Sequence, residues 1–192
     1  MDILKEKPDT KRPVIIRAAT TLFATRGVDA TSMRDIAEAA GVREAAIYRY
    51  FPSKEELSRD IFVSWYGWYS QQLHAIVRGP GGTMDKVYGV ARLELSAAEE
   101  HTEAFTYFCE NEARFLGALP AGVPRARDVF IALITEGQQR CEVKAGDARL
   151  LADMLSGALC TVALTSIRRR RRGDLTNHLE LVAETCWAMI AA

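Results

Sequence analysis

Between Thr31 and Leu57 the chain reads TSMRDIAEAAGVREAAIYRYFPSKEEL, and this stretch gathers Arg43, Glu44, Ala45, Tyr48, Arg49 and Tyr50 into one short segment. A guanidinium fork pairs bidentately with a guanine edge, a carboxylate accepts from a cytosine amine, and a small apolar group meets a thymine methyl. Arg43, Glu44 and Ala45 supply those three chemistries in succession. Tyr48, Arg49, Tyr50 and Lys54 suit phosphate oxygens better, and such contacts set register rather than sequence. Thr31 and Ser32 stand where a helix begins, so free amides there attract a further phosphate. Arg34 lies on the outer side of that helix, within reach of a base or the backbone. Any one of these residues is equally well explained as a solvated charge on a helical hairpin. The cluster is not.

A face of this kind needs a small helical core behind it. Pro13 suits a first helical turn, where its missing N–H costs nothing, and that helix carries Ile16, Ala19, Leu22 and Phe23 as far as Gly27. Thr31 or Ser32 caps a second helix holding Met33, Ile36, Ala37 and Ala40. Gly41 supplies the turn, and a third helix runs from about Arg43 to Phe51 with Ile47 and Phe51 turned inward. Ser53 with Glu56 matches a capping box for a long fourth helix reaching about Arg78. This is a helix-turn-helix layout, which presses its second helix into a DNA groove. Further helices are expected at about 83–100, 103–118, 124–141, 147–171 and 175–191. Apolar residues recur at three and four almost everywhere and strand-like alternation is absent. The fold class is all-α with about nine helices: a polar tail at 1–11, a DNA-binding domain at 12–57, and a helical effector-binding and dimerisation domain at 58–192.

Composition narrows the function classes. The 192 residues are 48% apolar, with 25 basic and 25 acidic side chains. Up to Lys54 ten Lys/Arg face seven Asp/Glu, and beyond it fifteen face eighteen, so the front is mildly basic. Cys109, Cys141, Cys160 and Cys186 have no metal spacing and read as reduced, mostly buried thiols of a cytoplasmic protein. The start has no apolar core of a secretory signal. In the helix at 147–171 the longest uncharged run, Met154 to Ile167, is 14 residues, against about 20 for a membrane span. His74, His101 and His178 have no metal spacing, and GxSxG, P-loop and GxGxxG motifs are missing, so neither an enzyme nor a cofactor is indicated.

The run from Ile15-Ile16 through Ala18-Ala19, Leu22-Phe23, Gly27, Thr31-Ser32-Met33, Ile36-Ala37, Ala40-Gly41-Val42 and Ile47-Tyr48 to Tyr50-Phe51-Pro52-Ser53-Lys54-Glu55 resembles the DNA-binding domain of TetR-family regulators. The resemblance covers about the first 57 residues. It implies a homodimeric helical transcription factor, usually a repressor, that leaves a palindromic operator when a small molecule binds the C-terminal domain. By the same resemblance Arg34, Arg43, Glu44, Ala45 and Tyr48 fall where the family reads bases, and Tyr48, Tyr50 and Lys54 where it grips phosphates. Ala45-Ala46 departs from the pattern, because many members have a glycine or hydroxyl residue there.

The back of the chain is read from its residues. The helix at 147–171 is apolar on two sides, Leu151, Leu155, Leu159 and Val162 on one and Leu150, Met154 and Leu164 on the other. The last helix offers Leu179, Val182, Cys186, Trp187 and Ile190. A helix apolar on both sides must be covered on both. One domain of this size could bury both helices internally, but pairing of Leu151, Leu155, Leu159, Val162, Leu179, Val182, Cys186, Trp187 and Ile190 across a two-fold axis is more economical and is expected. Trp65, Tyr69, Phe105, Phe108, Cys109 and Phe130 read either as plain core or as the wall of a pocket for a hydrophobic or aromatic effector. Glu94 and Glu112 lie on apolar stripes, where a carboxylate needs a partner: Arg92, Arg114, Arg140 or the ligand. Arg168 to Arg172 reads as a solvated helix end or an anion site. A DNA-binding or architectural protein without an inducer is the other reading left open.

Overall fold

The computed structural model describes residues 11–169 and 175–192. Among them the chain is all-α, with nine α-helices in order: α1 Arg12–Arg26, α2 Met33–Ala39, α3 Glu44–Tyr48, α4 Lys54–Arg78, α5 Thr83–Glu100, α6 Thr102–Phe115, α7 Ala126–Gln139, α8 Ala148–Arg168 and α9 Leu179–Ile190. The tail expected at 1–11 lies outside the described residues except for Lys11, whose carbonyl accepts from Ile15 N–H in the first bond of α1. Of the arginine run, only Arg168 and Arg169 are described.

Two compact units form. The first holds residues 11–66 and 103–119, so it includes α1 to α3, the first half of α4 and α6. In α1 the buried line is Ile15, Ala19 and Phe23, one residue per turn at a spacing of four; Ile16 and Leu22, expected inside, are only half-buried. Ser32 rather than Thr31 caps α2: its hydroxyl accepts from Asp35 N–H at 3.1 Å while the Asp35 carboxylate accepts from Ser32 N–H at 2.8 Å. Gly41 turns the chain at φ 64°, and Val42 N–H closes the turn onto Ala37 O at 3.0 Å. The third helix is shorter than the 43–51 expected. Tyr50 and Phe51 N–H both fall back on Ile47 O, and Pro52 disfavours helical backbone at Phe51.

The first unit does not end at residue 57. Tyr107 and Phe105 of α6 are fully buried, and Tyr107 stacks on Phe23 of α1 at 5.7 Å between ring centres. Phe62 of α4 meets Phe108 at 5.8 Å and Phe115 at 5.7 Å. These rings, 46 to 84 positions apart in the chain, bury too much apolar surface to be a linker, and they bind α6 into the helix-turn-helix unit.

The second unit holds 67–102 and 120–169 with 175–192. Its core comprises Val87, Val90, Ala91 and Leu95 of α5, Val129, Phe130, Leu133 and Ile134 of α7, Leu151, Leu155 and Leu159 of α8, and Ala183, Cys186 and Ile190 of α9. The C-terminus is fastened by a strap after α7: Lys144 N–H donates to Ile190 O at 2.9 Å, and Ala192 N–H to Glu142 O at 3.1 Å. The Glu142 carboxylate caps α5 through Thr83 N–H at 2.8 Å, and the Thr83 hydroxyl and N–H together hold that carboxyl below its usual range. Gly137 permits the strap, since a Cβ there would stand 2.5 Å from Val143 Cγ2 and 2.9 Å from Thr83 Oγ1.

The interface expected on α8 and α9 needs correction. Leu151, Leu155, Leu159, Cys186 and Ile190 are buried inside the chain and have little surface to give a partner. Val162 is exposed, and Leu179, Val182 and Trp187 are half-buried. The uncovered apolar side is instead Leu150, Met154 and Val162 of α8 with Leu181 of α9, which is 65% exposed. With 21 residues and mean hydropathy 1.7 over its most apolar stretch, α8 is long and apolar enough to cross a membrane, although its longest uncharged run is shorter than a span. Arg127 and Asp153 meet at 2.8 Å on its side, an ion pair suited to water rather than lipid. The cysteines also differ from expectation: only Cys186 is buried, Cys109 and Cys160 are half-buried, and Cys141 is exposed.

Candidate nucleic-acid interface

The recognition face follows from how α3 is seated. Ile47 is fully buried and Phe51 nearly so, and together they fix one side of this five-residue helix against the first unit's core. The opposite side carries Arg43, Glu44, Ala45, Tyr48 and Arg49, all exposed. Arg43 occupies the N-cap with extended backbone and no capping bond from its side chain, so its guanidinium is not spent on the helix. Glu44 and Tyr48 lie one turn apart, with the Tyr48 hydroxyl at 3.5 Å from the carboxylate, the limit of a hydrogen bond. A free fork, a carboxylate, a methyl group and a phenol along one turn can address successive base edges in a major groove. Arg34 is also exposed, on the outer side of α2.

Two residues expected at phosphates are committed elsewhere. Thr31 is buried; its hydroxyl donates to Gly27 O at 2.8 Å and closes the loop between α1 and α2. Lys54 is half-buried, and its ammonium donates to Thr31 O at 2.8 Å and Asp29 O at 3.4 Å. It pins the start of α4 to the start of α2. Ser32 remains exposed. Tyr50 points away from the base-reading row, lining a cleft of about 330 Å³ with Arg12, Phe51, Arg59 and Asp60. In that cleft Arg12 pairs with Asp60 at 2.8 Å and lies 5.5 Å over the Phe51 ring.

The residues expected around an effector divide between the units. Trp65, Phe105 and Phe108 are buried in the first, while Cys109 and Glu112 of α6 are half-buried. Burial pushes the Glu112 carboxyl above its usual range, and no hydrogen bond or ion pair reaches it among the described residues. In the second unit Phe130 is buried and Glu94 accepts from Tyr69 Oη–H at 2.7 Å, so a tyrosine answers the carboxylate for which an arginine or the ligand was expected. Arg140 goes to Glu136 at 2.6 Å and Arg114 to Glu55 at 2.7 Å.

Three packed helices with a capped turn and an exposed, basic and aromatic third helix define a helix-turn-helix DNA-binding module. Residues 15–61 match the family model described as bacterial regulatory proteins, tetR family. A curated relative, the HTH-type transcriptional repressor KstR2 of Mycolicibacterium smegmatis, is 30% identical over 114 residues, 59% of this chain and 55% of that protein. The match therefore spans little more than half of the relative's length. Likeness of fold extends much further. The ketosteroid transcriptional regulator KstR2 of Mycobacterium tuberculosis superposes with TM-score 0.78 at 20% identity, over 97% of both chains. The regulator FadR of Bacillus subtilis, solved in complex with stearoyl-CoA, gives TM-score 0.74 at 22% identity over 93% of this chain and 98% of that one.

Proposed function

We propose that this chain is a homodimeric transcriptional repressor that binds a palindromic operator and is released from it by a hydrophobic small molecule. The observation that carries the reading is the seat of α3: Ile47 buried, and Arg43, Glu44, Ala45, Tyr48 and Arg49 exposed on the other side. Arg34, Arg43, Glu44, Ala45 and Tyr48 read bases, while Ser32, Arg49 and Tyr50 hold phosphates. Dimerisation is supported by Leu150, Met154, Val162 and Leu181, large apolar side chains left exposed in one chain. A two-fold axis sets half-sites about 34–36 Å apart, or a multiple of that.

The effector reading rests on likeness and on α6. FadR was solved with stearoyl-CoA and KstR2 is named a ketosteroid regulator, and an acyl chain and a steroid skeleton are both apolar bodies. In this chain Glu112, half-buried on α6 with its carboxyl raised by burial, is the group we assign to meet the polar end of such a molecule. The test selects duplexes from a random pool with the purified chain, then screens acyl thioesters and sterols for thermal stabilisation. An inverted repeat among the selected duplexes, together with a stabilising compound that lowers its affinity, is the expected result. Selection of no common sequence would overturn the reading.

A further inference from the structure

Two carboxylates stand at the edge where α2 and α4 begin. Asp29, in the loop before α2, has a side chain 89% exposed, and Glu55, in the first turn of α4, is also largely exposed. Both would repel a phosphate backbone at this edge. Lys54 lies between them in the chain, but its ammonium is bonded to the main-chain oxygens of Asp29 and Thr31. The guanidinium of Arg114, at the far end of α6, reaches both acids: Nη1 to Asp29 Oδ1 at 3.2 Å and Nη2 to Glu55 Oε2 at 2.7 Å. It is held flat for the task, 5.3 Å over the ring of Phe115, which is buried and meets Phe62.

We infer that Arg114 is a positioning residue for DNA binding, neutralising Asp29 and Glu55 where α2 and α4 meet a phosphate backbone. The inference rests on the DNA-binding reading above and adds an electrostatic part to it. With Arg114 present the trio carries one net negative charge; without it, two. Exposed ion pairs contribute little to stability, so the effect belongs to DNA affinity rather than to folding.

The experiment uses the full chain and a duplex selected by the wild type. Arg114→Ala should weaken binding roughly three- to tenfold at about 0.1 M salt and flatten the dependence of log affinity on log salt by up to about one unit, as loss of one cation predicts. Its melting temperature should stay within about 3 °C of wild type. Arg114→Lys keeps the charge and should bind within about threefold of wild type. Asp29→Asn and Glu55→Gln added to Arg114→Ala leave the trio neutral and should recover most of the lost affinity. A merely structural clamp would stay broken in that triple variant. Wild-type affinity in Arg114→Ala, or a triple variant no tighter than Arg114→Ala, would overturn the inference while leaving the DNA-binding reading intact. A wild type that retains no duplex removes both.

Discussion

The Tyr107 hydroxyl donates to the main-chain carbonyl of Ser58 at 2.7 Å and lies 2.6 Å from the Ser58 hydroxyl, tying α6 to the first turn of α4 inside the unit that carries α3. Both residues are fully buried, and burial pushes the phenol up to about 12 despite the serine bond, which pulls the other way. Replacement by phenylalanine leaves the buried Ser58 hydroxyl without this partner. Tyr107→Phe should therefore lower unfolding free energy by about 1–2 kcal/mol, read from denaturant melts.

Ile47 decides whether α3 exists as a presented helix. It is fully buried in a five-residue helix that has no other buried side chain of its own. Ile47→Ala should cost about 2–4 kcal/mol and abolish duplex binding before it unfolds the second unit. Hydrogen exchange that loosens 31–51 first is the expected pattern, and uniform loosening would contradict it.

Arg43 and Arg49 should fail differently. Arg43→Ala should cost roughly 1–3 kcal/mol against the selected duplex and relax preference at one base pair. Arg49→Ala should weaken all duplexes alike and reduce the salt slope by about one. Competition binding with single-base variants of the duplex separates the two.

The apolar surface of α8 and α9 gives a test by size. Met154→Glu with Leu181→Glu changes two exposed side chains without touching the core, so the chain should stay folded and sediment as a monomer. Operator affinity should fall with it, because half-sites are then bound one at a time.

Glu112 sets a pH signature. Burial raises its carboxyl above the usual carboxylate range, so ionisation at neutral pH costs stability; the cost shrinks as pH falls through the folded value and is gone only below the unfolded one. Glu112→Gln should melt above wild type at about pH 7.5, with the gap closing by about pH 4.5. A constant gap across that range would contradict the burial.

Local chemistry made much of this legible from the chain. Gly27 and Gly41 stop α1 and α2 because their backbones take positive φ, and Pro52 ends the segment after α3. The alternation of inward Ile47 and outward Arg43, Glu44, Ala45 and Tyr48 follows from helical spacing alone. What escaped was non-local. Arg114 reaches Asp29 across 85 positions and Tyr107 reaches Ser58 across 49, and nothing in the local pattern of α6 announces that it belongs with the front of the chain. The two apolar sides of α8 were visible, but which side the chain itself would cover was not: packing against α5, α7 and α9 took Leu151, Leu155 and Leu159, leaving Leu150 and Met154 outside.

Titration of the selected duplex with the wild-type chain, repeated from about 50 to 200 mM salt, reads the central claim most directly. Two protomers per duplex, with log affinity falling linearly as log salt rises, is the predicted result. Binding that ignores salt, or no retention of any duplex at the lowest salt, would contradict it.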